Sequence, residues 1–130
     1  MATPSGLGAA LRKLRDRRTL STREIGKLAE IDHAYIHRLE TGDKANPSPE
    51  VVQKLLTYLK TNERESDIVK WLVDYSEADP GLVEYALDTP DVSLEEFTMA
   101  AGIRHRGTAR PDPATLIERV RRALEATKDQ

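Results

Sequence analysis

The sequence predicts an all-α protein. Apolar residues recur three and four positions apart along almost the whole chain, no run of β-branched residues alternates as a strand would, and helix-start signals punctuate the pattern. The first helix carries the stripe Leu7, Leu11 and Leu14 and ends near Arg18, with Arg15, Arg17 and Arg18 in a last turn where cations suit the dipole. Ser21-Thr22-Arg23-Glu24 is a capping-box pattern and opens a second helix whose inner face is expected to be Ile25, Leu28 and Ala29. Glu30-Ile31-Asp32 is a very short turn. Asp32 can cap a third helix bearing Tyr35, Ile36 and Leu39, which Gly42 ends.

A polar loop, Gly42 to Pro47, leads to Ser48 and Pro49, an N-cap and first-turn pair for a helix with Val51, Val52, Leu55, Leu56 and Leu59. A fifth helix is expected from about Glu63 to Tyr75, with Ile68, Leu72 and Trp71 as candidates for burial. Asp79-Pro80 caps a short helix with Leu82, Val83, Ala86 and Leu87, and Ser93 to Glu96 is a second capping box before Leu94, Phe97 and Ala101. A basic loop from Arg104 to Arg110 precedes Pro111-Asp112-Pro113, which start a last helix with Leu116, Ile117, Val120 and Leu124 on one side.

Composition narrows the function. The 130 residues hold 20 Lys plus Arg against 22 Asp plus Glu, a net charge of −2 that conceals strong segregation. Residues 1–60 hold 11 basic and 7 acidic residues, residues 61–100 hold 2 and 11, and residues 101–130 hold 7 and 4. The asymmetry points to an anion-facing first half and a different task for the second. The absence of cysteine excludes a disulfide framework, a thiolate zinc site and a cysteine nucleophile, and fits a reducing cytosol. No stretch approaches the ~18 apolar residues of a membrane span, and Met-Ala-Thr-Pro-Ser-Gly lacks a signal-peptide profile, so a cytoplasmic protein without membrane contact is expected.

Two short helices joined by a tight turn, the second with polar residues away from its apolar stripe, form the pattern of a helix-turn-helix whose second helix can enter the major groove of DNA. On that helix His33, Ala34, His37 and Arg38 lie away from Ile36 and Leu39 and are the candidates for facing base edges. His33 and His37 also have the spacing of paired metal ligands, but Ala34-Tyr35-Ile36 between them lacks the Glu of a metallopeptidase helix. No metal site, cofactor or catalytic constellation is expected. The chain does not read as an enzyme.

The run from Leu11 to Pro47, LRKLRDRRTLSTREIGKLAEIDHAYIHRLETGDKANP, resembles the Cro/repressor (XRE) family of helix-turn-helix domains. The likeness rests on Arg15, Ser21, Ala29, Tyr35 to Glu40, Gly42 and Asn46-Pro47-Ser48. It departs at Glu30, where Gly is common, and at Thr22, where Gln often stands. A left-handed Glu30 would cost about 1 kcal/mol that Gly avoids. The resemblance implies a five-helix, lambda-repressor-like helix-turn-helix domain followed by a small helical C-terminal domain. The expected division is residues 1–62 for DNA binding and 63–130 for dimerisation and regulation.

By the same resemblance His33, Ala34 and Arg38 match base-reading positions, and Arg15 and Glu40 match a structural ion pair joining the first helix to the third. Ser21, Thr22, Arg23, Lys44 and Asn46 would then hold phosphates of double-stranded DNA and fix the register. Such domains normally act as dimers on half-sites about one helical turn apart. The tail FTMAAGIRHRGTARPDPATLIERVRRAL also resembles the end of small bacterial repressors paired with an ImmA/IrrE-type zinc metallopeptidase, on Arg106-Gly107 and Arg110-Pro111. Carried over, cleavage falls among Ile103, Arg104, His105 and Arg106, with His105 standing where that family has an apolar residue. The expected function is a homodimeric, sequence-specific transcriptional repressor. The rivals are a DNA-binding antitoxin that neutralises a toxin and regulates its own operon, and a pure interaction module.

Overall fold

In the computed structural model, which describes residues 5–103 and 111–128, the described chain is helical and carries no strand. The helices are α1 (Gly6–Arg17), α2 (Thr22–Ala29), α3 (His33–Thr41), α4 (Pro49–Leu59), α5 (Glu63–Asp74), α6 (Pro80–Asp88), α7 (Leu94–Ala101) and α8 (Pro113–Lys128). Local chemistry sets most of the starts. Ser5, Ser21, Asp32, Ser48, Asn62, Asp79 and Ser93 each cap a helix by accepting a backbone N–H from its first turn. Three of them, Ser21, Asn62 and Ser93, complete reciprocal boxes with Glu24, Glu65 and Glu96.

Leu7, Ala10, Leu11 and Leu14 of α1 are buried, and α1 packs against α3, α5 and α6. α2 packs on α3 and α4, and α8 lies on α6 and α7 through Leu116, Ile117 and Val120. The close approach of α1 to α3 depends on Gly8: a Cβ there would sit 2.4 Å from the Glu40 carbonyl oxygen. One apolar cluster runs from Leu7 through Ile36, Leu55, Ile68 and Val83 to Phe97 and Val120, so the core is continuous across residue 62. The line between residues 62 and 63 falls directly after the Asn62 cap of α5, two residues beyond the left-handed Lys60 that ends α4.

Polar contacts reinforce the joint. Arg17 bonds the Glu65 carboxylate at 2.6 Å, the Asp88 carboxylate at 3.2 Å and the Leu87 carbonyl. Lys13 meets Asp88 at 2.6 Å, and Arg64 donates to the Ala86 and Val92 carbonyls, both at 2.9 Å. Arg121 of α8 pairs with Glu96 and Asp91.

One expected core position is corrected. Leu28 is 49% exposed, and the buried face of α2 is Ile25, Gly26 and Ala29. Relative to Ile25, Gly26 and Ala29 lie to one side of the α2 axis and Leu28 to the other, so a helix held on that side by α3 and α4 leaves Leu28 at its margin.

Candidate nucleic-acid interface

The turn between α2 and α3 is built by three residues. Glu30 ends α2 with φ 57° and ψ 46°, a left-handed conformation in a residue with a full side chain. The Glu30 N–H caps α2 by donating to the Gly26 carbonyl, which also accepts from Ile31 N–H at 2.9 Å. The chain then folds back so closely over Gly26 that a Cβ there would meet the Ile31 oxygen at 2.7 Å and the His33 Cβ at 3.3 Å. Asp32 restarts the helix, its carboxylate accepting from Ala34 N–H at 2.9 Å.

The same geometry fixes which side of α3 is outside. Ile36, Leu39 and Glu40 are buried, whereas His33, Ala34, His37 and Arg38 are exposed and Tyr35 is half-buried. The four exposed residues are not equivalent. Ala34 and Arg38 lie about 160° around the helix from Ile36 and form its apex, while His33 and His37 form a flank. His37 and Thr41 border an open cleft of about 920 Å³ walled by Arg12, Lys13 and Asp16 of α1 and Glu84 and Asp88 of α6.

Glu40 is held by Arg15. The guanidinium donates Nε–H and Nη2–H to the two carboxylate oxygens, both at 2.8 Å, and Nη1–H to the Leu20 carbonyl at 2.8 Å. The Glu40 hydrogen bond outweighs burial and raises the Arg15 pKa, so Arg15 remains charged. This fork ties α1 to the inner side of α3 and leaves its outer side unobstructed.

At the start of α2, Ser21 and Glu24 satisfy one another: Glu24 N–H donates to Ser21 Oγ at 3.0 Å and Ser21 N–H donates to the Glu24 carboxylate at 2.9 Å. The bonds that Ser21 donates to the Glu24 carboxyl, from its backbone amide first and from its hydroxyl second, hold that carboxyl below its ordinary pKa. The Ser21 backbone amide is therefore occupied and its hydroxyl is shared with Glu24, while the first-turn amides of Thr22 and Arg23 remain for an anion. Thr22 is half-buried and Arg23 exposed. Beyond α3, Lys44 N–H donates to the Arg38 carbonyl at 3.1 Å, which folds the loop back onto the end of the helix. Asn46 is exposed with φ 55°, a conformation that Asn tolerates well.

The cations around α3 differ in their pairing. On α1, Arg12, Lys13, Arg15 and Arg17 are all spent on carboxylates. Arg23, Lys27, Arg38 and Lys44 have no ion pair among the described residues, and neither do Arg18 at the end of α1, Lys60, Lys70 and Arg119. Lys27, exposed in the last turn of α2, joins that unpaired group although sequence reasoning passed over it; its place on the outer face of an amphipathic helix was the available signal.

Ile103 follows α7 and is exposed, whereas Arg104, His105 and Arg106 lie outside the described residues. Among the described residues no group of three or more His, Asp or Glu is placed to hold a metal ion, and no helix is long and apolar enough to cross a membrane.

No curated protein matches the chain. Residues 6–67 match the family model described as a helix-turn-helix domain. The match covers the turn, both flanking helices and the Arg15–Glu40 fork behind them; the N-terminal half of the chain is a helix-turn-helix domain, the kind of unit with which regulators hold DNA.

Proposed function

We propose that this protein is a transcriptional repressor of the Cro/repressor type that binds a two-fold operator as a homodimer. The observation that carries the reading is the pairing of the cations around α3: Lys13, Arg15 and Arg17 behind it are held by carboxylates of the same chain, whereas Arg23, Lys27, Arg38 and Lys44 on α2, α3 and the following loop are left for an external anion. In this reading α3 is the recognition helix. Arg38 at its apex donates in pairs to a guanine edge, and Ala34 is small enough to admit a thymine methyl. His33 and His37 meet bases from the flank. Ser21, Thr22, Arg23, Lys44 and Asn46 contact phosphates and set the register. A single half-site offers few contacts, which is the argument for two copies.

Release of the operator is proposed to follow cleavage among Ile103, Arg104, His105 and Arg106 by a partner metallopeptidase. Support comes from the position of Ile103, which is exposed at the end of α7, upstream of α8. Among the described residues, a cut there leaves α8 held by its packing on α6 and α7 and by the Arg121 pairs with Glu96 and Asp91. The antitoxin reading uses the same α3 and assigns the acidic half to a toxin; the surplus of 11 acidic over 2 basic residues in positions 61–100 favours it as the second reading.

Titrating promoter DNA against salt tests the first step. Binding should weaken steeply as salt rises, and Lys44→Ala should lower the slope of log affinity against log salt by about one. A slope near zero, or one unchanged by Lys44→Ala, would remove this surface from DNA.

A further inference from the structure

Tyr75, immediately after α5, is the most exposed large apolar side chain in the described chain, at 58%. It is held firmly. Its ring stacks on Trp71 one turn earlier, with centroids 4.5 Å apart and planes at 20°, and Trp71 meets the fully buried Phe97 of α7 edge-on at 5.4 Å. The three rings form a column from the core to the surface that ends in an open aromatic face. Beside it is a shallow hollow of about 610 Å³ floored by Ala101 and Gly102 and rimmed by Asp74 and Glu77. Both carboxylates are exposed, and neither has an ion pair among the described residues. Among the described residues no cationic side chain lines the hollow.

We propose that this hollow docks a short segment of a partner protein that presents an arginine or lysine next to an apolar residue. The chemistry is complementary at each point. A cation is attracted by the aromatic face and by two uncompensated carboxylates, its aliphatic stem lies along the rings, and the small floor residues admit a neighbouring apolar side chain. A second copy of this chain does not fit through the same face, because a two-fold contact would set Asp74 and Glu77 of one protomer against those of the other. The acidic segment around the hollow, with 2 basic and 11 acidic residues in positions 61–100, steers a cationic partner toward it.

Trp71 is the single tryptophan, so its emission reads the hollow directly in the full-length protein. The probe is acetyl-Leu-Arg-Leu-Arg-amide, and the control is the same peptide with citrulline in place of arginine. The arginine peptide should change the emission saturably and bind on the order of tenfold tighter than the citrulline peptide. Tyr75→Leu and the pair Asp74→Asn/Glu77→Gln should each weaken it on the order of fivefold. Glu63→Gln/Asp67→Asn, elsewhere on the acidic segment, should leave it unchanged. Equal binding of the two peptides, an equal loss in the Glu63/Asp67 variant, or full affinity in the Asp74/Glu77 variant would overturn the proposal. So would a lower oligomeric state of Tyr75→Leu in sedimentation equilibrium, which would make the face an interface between copies.

Discussion

Replacing Arg15 by Met separates a structural role from a DNA-binding one. The side chain keeps an unbranched apolar stem but loses the guanidinium and its three donors: two to Glu40 at 2.8 Å and one to the Leu20 carbonyl at 2.8 Å. Glu40 stays in place with its side chain 5% exposed and no cation beside it, and the Arg15 side chain is itself only 15% exposed. Removing one partner of a buried pair costs about 3–5 kcal/mol, chiefly because the other charge is stranded. Some solvent reaches this pair, so about 3 kcal/mol is expected, or a melting temperature about 10 °C lower for a chain of this size. Adding Glu40→Leu removes the stranded charge, and the double variant should recover about 2 kcal/mol relative to the sum of the single variants. Denaturant titrations followed by circular dichroism supply the four stabilities. Below the melting transition, Arg15→Met should bind DNA as tightly as the unsubstituted protein. A cost under about 1 kcal/mol, the value of an exposed pair, would refute the buried-fork reasoning, as would additive single substitutions. A loss of DNA affinity in fully folded protein would place Arg15 on the DNA instead.

The other perturbations follow from the turn and from the joint between α1 and α6. Glu30→Gly should raise stability by about 1 kcal/mol, seen as a higher denaturant midpoint, because glycine adopts the left-handed conformation without strain; no gain would mean that the side chain compensates. Asp88 is held below the ordinary carboxylate range, first by its hydrogen bond from Lys13 and then by Arg17. A lowered folded-state pKa contributes stability that is complete above the unfolded value, about 3.9, and is lost as pH falls through the folded value. Asp88→Asn should therefore melt lower than the unsubstituted protein at pH 7, by an amount worth less than about 1 kcal/mol because the carboxylate is half exposed. The two melting curves should converge once pH falls below the lowered folded-state value; a difference that persists there would assign the effect to packing.

Much of the helical framework was written locally. Ser21 with Glu24, Ser93 with Glu96, Ser48 before Pro49 and Asp79 before Pro80 each place a helix start through bonds within four residues, and all four starts are present. Asn62 with Glu65 follows the same rule and could have been read the same way. Leu28 was misassigned because periodicity gives the angle between side chains but not the side from which neighbours arrive. The Lys13 and Arg17 contacts with Asp88 span more than 70 positions and leave no periodic trace. That is also why the net charge of the first 60 residues was only a partial guide. It weighs Lys13 and Arg17, which carboxylates neutralise, equally with Arg38, which none does. The exposed set on α3 was legible, since opposite faces of one helix are fixed by 3.6 residues per turn.

Selection of bound sequences from random double-stranded DNA, run in parallel on the unsubstituted protein and on Arg38→Ala, tests the central claim most directly. The account predicts two half-sites related by two-fold symmetry, with centres about one helical turn apart. It also predicts that Arg38→Ala keeps that spacing while losing preference at one base pair in each half-site, a change of about 1–3 kcal/mol in discrimination. No enrichment from the random pool, or an identical motif from both proteins, would contradict it.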